Sequence, residues 1–60
     1  MKYRVAWKVI ATGYCGHGNW QDDLALVAAW VKHENSELRG EIHHWVEYLT
    51  PVGVTVPHAA

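Results

Sequence analysis

A single cysteine, Cys15, stands in 60 residues, so no disulfide can form within the chain to staple its fold. Charge of one sign is also scarce. Five Lys/Arg against six Asp/Glu leave a formal net charge of -1. That balance lacks the basic footprint of a typical nucleic-acid binder, and it fits an acidic mimic of nucleic acid no better. No apolar run approaches the length of a membrane span. Behind Met1-Lys2-Tyr3-Arg4 there is no apolar segment of the kind a signal peptide needs. A free thiol suits a reducing compartment, and the expectation is a cytoplasmic protein without a membrane partner.

Acid, base and nucleophile at a recognisable catalytic spacing are missing too. Asp22 and Asp23 are adjacent and would diverge on a helix. Cys15 and His17 could form a nucleophile–base pair, but no third orienting group or oxyanion hole is identifiable. The chain therefore reads as a non-enzyme without a cofactor.

Aromatic and imidazole rings are what the chain has in excess: four Trp, three Tyr and five His. A domain of this size buries only about 60% of its unfolded surface. It commonly relies on disulfides, a metal or oligomerisation. With disulfides excluded, a metal, a partner subunit or a tightly packed aromatic core remains.

Local patterns place the elements. Residues 2–11 alternate, with Tyr3, Val5, Trp7 and Val9 on one side and Lys2, Arg4, Ala6 and Lys8 on the other. This is the period of a strand with one buried face. Thr12-Gly13 suits a hairpin turn, and Tyr14 to His17 would return as a short strand. Asn19 is a good N-cap for a helix from about Trp20 to about His33, with Asp22 and Asp23 favoured in its first turn. Trp20, Leu24, Val27, Ala28 and Val31 form its sheet-facing stripe. Lys32 and His33 suit its C-terminal end, and Asn35 can terminate it. Glu41 to Leu49 alternates again, with Ile42, His44, Val46 and Tyr48 inward and Glu41, His43, Trp45 and Glu47 outward. Val52, Val54 and Val56 make a short edge strand or an arm. The expected fold is α+β, a small and mostly antiparallel sheet with one helix across one face. It forms one β-β-α-β domain over residues 1–49, followed by residues 50–60.

Two surfaces do not balance. Leu26 and Trp30 lie on the helix side away from Leu24 and Ala28, with Ala25 and Ala29 filling the gap. Trp is enriched at protein interfaces, so Leu26 and Trp30 are the first interface candidates. The plainer use of Trp30 is to lie flat over a loop or the C-terminal arm. Trp45, the second candidate, sits with His43 on the outer sheet face beside Arg4 and Lys8. Arg4, Lys8 and Trp45 could instead stack and hold single-stranded nucleic acid, or simply form a solvated face.

Cys15, His17 and one of His43 or His44 are conceivable zinc ligands, without the paired spacing that makes such a site specific. A hydrogen-bonded core histidine at position 44 and a turn-organising His17 account for the same residues. Gly16-His17-Gly18-Asn19, leading into a helix, could receive an anion, but no Lys-Ser/Thr follows and Asp22-Asp23 would repel it. The glycines more simply permit a tight corner.

At Thr12-Gly13-Tyr14-Cys15-Gly16-His17-Gly18, Ala29-Trp30-Val31 and His44-Trp45-Val46-Glu47, the chain resembles a class of small proteins encoded by viruses, phages and other mobile elements. The similarity spans residues 2–48. It implies a compact stand-alone module, an accessory or host-interaction protein, and carries no known activity. Together these readings predict an interaction module that self-associates as a homodimer or meets an unidentified protein partner. Single-stranded nucleic-acid binding is the alternative.

Overall fold

A computed structural model of the chain describes residues 1–38 and 40–57. The elements are β1 (Lys2–Val9), β2 (Cys15–His17), α1 (Leu24–Glu37), β3 (Ile42–Leu49) and β4 (Thr55–Pro57). The four strands form one antiparallel sheet in the order β2-β1-β3-β4. The helix packs on one face of it, giving the expected α+β class. Among the described residues no helix is long and apolar enough to cross a membrane.

Register assigns every side chain to a face, because directly opposed residues share one. Val5 faces Val46, Trp7 faces His44 and Val9 faces Ile42, all on the helix face. Val27 closes this layer from above and is fully buried, and Val46 and His44 are buried beneath. Lys2, Arg4, Ala6 and Lys8 point to the open face, opposite Leu49, Glu47, Trp45 and His43. Ala6 is nonetheless only 2% exposed. The small side chain lies between its register partners Trp45 and His17.

The turn after β1 follows the sequence. Gly13 adopts φ 75°, conformational ground that glycine holds at little cost, and its N–H donates to the Val9 carbonyl at 2.8 Å. The helix start does not follow. Its N-cap is Asp23, not Asn19: Asp23 is extended (φ -110°, ψ 103°) and its carboxylate accepts from the Leu26 N–H at 3.2 Å. Residues 18–21 stay beside β1 instead. The Gly18 N–H donates to the Val5 carbonyl at 2.9 Å, and Tyr3 and Gln21 exchange hydrogen bonds at 2.8 and 2.6 Å. These ladder contacts hold the chain extended past Asn19 and exclude Trp20 from the helix.

The helix also runs beyond His33, to Glu37, and no basic residue occupies its last turn. Asn35 sits inside it rather than ending it. At the helix end the Leu38 N–H donates to the Glu34 carbonyl at 2.9 Å. Val56 lies opposite Tyr48, so residues 55–57 form the short edge strand. The sequence reading of residues 58–60 lies outside the described residues.

Candidate interaction surfaces

The helix lies over β1 and β3, and its backbone stays clear of β2. Its Trp30 side opens onto a cleft of about 460 Å³, walled by Val5, Trp7, Trp30, Glu34, Ile42 and His44. Leu26, one turn earlier on that side, is 41% exposed, and Trp30 is 43% exposed. The indole of Trp7 lies against Gly16 of β2. A methyl group at Gly16 would come within 2.6 Å of the Trp7 ring. The Trp7 ring is also tilted against the buried His44 ring, with centroids 6.5 Å apart. The surplus apolar surface predicted at Leu26 and Trp30 therefore borders the half of the sheet that the helix leaves uncovered.

The opposite side of the helix meets β3 through a side chain that the sequence reading had assigned to helix termination. The Asn35 amide nitrogen donates to the His44 carbonyl at 2.9 Å. Its oxygen accepts from the His44 N–H at 2.8 Å and lies 3.2 Å from His44 Nδ1. One amide thus replaces a neighbouring strand along β3 and seats the one buried polar residue among the described ones. An Asn at this position is detectable in sequence, but its partner comes from tertiary packing.

On the open sheet face, the nucleic-acid candidates divide. Arg4 donates to the Glu47 carboxylate at 2.9 Å, and its guanidinium lies 4.2 Å from the centre of the Trp20 ring. Arg4 and Glu47 are largely buried there, with side chains 16% and 17% exposed. Glu47 thus points outward as its alternation indicated but is covered rather than solvated. Trp20, expected against the helix face, instead covers Arg4 on the open face. Its position follows from the Tyr3–Gln21 bridge, which sets Trp20 beside Arg4. Lys8 stays exposed, and the His43 and Trp45 rings stack at 5.7 Å with 27° between their planes. Among the described residues of this face, Lys8 is an exposed cation, whereas Arg4 is neutralised and shielded.

The metal candidates separate by face. Cys15 and His43 flank Lys8 on opposite sides, two strand spacings or about 10 Å apart, while His44 points to the helix face. Among the described residues no three His, Cys, Asp or Glu side chains come together to hold a metal ion. The Cys15 thiol is exposed and donates weakly to the Gly13 carbonyl at 3.4 Å. His17 Nδ1 lies 3.3 Å from the Gly18 carbonyl, consistent with a turn-organising role. The Gly16–Asn19 corner is separated from the helix by Trp20 to Asp23 and is not its N-terminus. Lys2 pairs with Asp22, and this hydrogen bond, with the lysine's charge, holds the Asp22 carboxyl below its ordinary range.

No family model, curated protein or solved structure matches the chain.

Proposed function

We propose that the chain is a non-enzymatic protein-interaction module that self-associates as a homodimer through the helix side bearing Leu26 and Trp30. The observation that carries this reading is the exposure of both side chains on one helix side, where Trp30 lines a mostly apolar cleft. The fully enclosed core is small: Ala6, Val27 and Val46 are its buried apolar residues among those described. A chain with so little interior gains most from covering its own apolar surface. Oligomers of one chain are usually two-fold symmetric, so the patch would meet its counterpart. The resemblance noted above adds an accessory or host-interaction role in a virus or mobile element.

Magnitudes bound what that patch can do. Covering the remaining surface of Leu26 and Trp30 in both copies is worth roughly 6–9 kcal/mol gross at the usual transfer value. Association costs about 4–15 kcal/mol. The two side chains are a nucleus for an interface and require additional contacts around them.

Light scattering over a dilution series tests the reading. The expected result is twice the monomer mass, with Trp30→Glu shifting the protein to monomer or into aggregates. A monomer at every concentration would overturn it, as would a folded Trp30→Glu variant of unchanged dimer mass.

The stacked His43 and Trp45 rings beside Lys8, the first exposed and the second half-buried, favour single-stranded nucleic acid as a second reading, because aromatic rings can stack on bases. Against it, Arg4 is already engaged by Glu47 and Trp20. Loss of Trp fluorescence on adding an oligonucleotide, reversed by salt, supports this reading; an unchanged signal at low salt excludes it.

A further inference from the structure

We infer that two copies pair antiparallel along the outer edge of β2, about a two-fold axis at Gly16, so that their sheets become one sheet of eight strands. This inference rests on the self-association proposed above and names the contacts that supplement Leu26 and Trp30.

The backbone of β2 is divided between two sides. Val9 N–H donates to the Tyr14 carbonyl at 2.8 Å, and Gly18 N–H donates to the Val5 carbonyl at 2.9 Å, with Gly16 opposite Trp7 between them. Residues 14, 16 and 18 therefore face β1. By the alternation of an antiparallel ladder, Cys15 and His17 turn their N–H and C=O groups outward. Both residues are exposed, and the helix backbone stays clear of this strand. The outward groups are self-complementary. With Gly16 on the axis, Cys15 of each copy falls opposite His17 of the other, and each pair can exchange two hydrogen bonds.

Among the described residues, much of the other sheet edge is occupied or blocked. On β3, Leu38 accepts from the Ile42 N–H at 3.2 Å, Asn35 takes the backbone of His44, and β4 covers residues 47–49. On β4, Val56 faces Tyr48, so Pro57 occupies an outward position and has no N–H to offer. Exposed edges are commonly guarded by proline, lysine or a bulge. Cys15-Gly16-His17 carries none of these.

The same docking brings the apolar groups together. Adjacent strands are about 4.8 Å apart, so helices seated over β1 and β3 of each copy would stand roughly 20 Å apart across the axis. Two helix radii fill about half of that distance. The space between them lies above the paired Gly16 residues, where the absence of a side chain already admits Trp7. Trp7, Leu26 and Trp30 of both copies border it.

Thiol pairing tests the register. Directly opposed residues of a hydrogen-bonded pair have Cα atoms about 5.5 Å apart, within disulfide range, whereas diagonal neighbours lie about 7–8 Å apart. The native protein is mixed with a Cys15→Ser/His17→Cys variant, allowed to exchange subunits, and oxidised with diamide. Both substituted positions are exposed, and circular dichroism checks that the fold is kept. The mixture should yield covalent dimer at least about tenfold faster than either protein alone, since only the mixed dimer sets the two thiols directly opposite. Equal rates in all three samples, or no covalent dimer while light scattering still reports two subunits, would overturn the edge pairing and leave self-association standing. Monomeric mass at every concentration would overturn both.

Discussion

Gly16 and Trp7 are one packing unit divided between two strands. The indole occupies the place a side chain at position 16 would need, which ties the choice of glycine to contact rather than to backbone conformation. Gly16→Ala should therefore cost about 1–3 kcal/mol, as overpacked sites do, seen as a lower urea midpoint. An unchanged midpoint would mean that Trp7 moves aside freely. The Lys2–Asp22 pair is a contrasting case. Its depressed carboxyl adds stability above the ordinary carboxylate range, and that contribution disappears as acid protonates Asp22. Both groups are exposed, so this ion pair is weak. Residue identity alone did not reveal the Gly16 contact: glycine read as a corner former, because nothing local says which ring will cross it.

At the scale of elements, Asn35 decides how α1 and β3 meet. Three polar atoms of His44 lie within hydrogen-bonding distance of its side-chain amide, and removing that amide leaves backbone groups of a buried residue without partners. Asn35→Ala is expected to lose about 2–4 kcal/mol, measured by chemical denaturation. A loss below about 1 kcal/mol would show that water replaces the amide. Much of the element pattern was legible. The two long strands announced themselves through alternation at Tyr3, Val5, Trp7 and Val9, and again at Ile42, His44, Val46 and Tyr48. The Leu24–Val27–Val31 stripe announced the helix. Its start was not legible, since Asn19, Asp22 and Asp23 are all competent caps and the choice falls to a tertiary bridge, Tyr3 with Gln21. Asn35 was misread for the same reason: a weak helix former suggested an ending, while its partner lies on a strand that follows.

For the whole molecule, the imbalance between ring content and interior was visible from composition, and the structure locates part of it at Leu26 and Trp30. Which surface would cover another copy depends on shape and sheet order, which alternation alone does not specify. If folding and association are linked, the thermal midpoint should rise with protein concentration, because binding that favours the folded state stabilises by mass action. A midpoint constant over a hundredfold dilution would place the dimer outside the unfolding equilibrium. Pro57 sets a limit on such association. A chain with two open sheet edges could add neighbours without end and grow into a fibre. If the β2 edges meet, both outer margins of the joined sheet would carry Pro57, which withholds one of the donors that a further strand would use. Growth of this sheet beyond two copies would then be disfavoured.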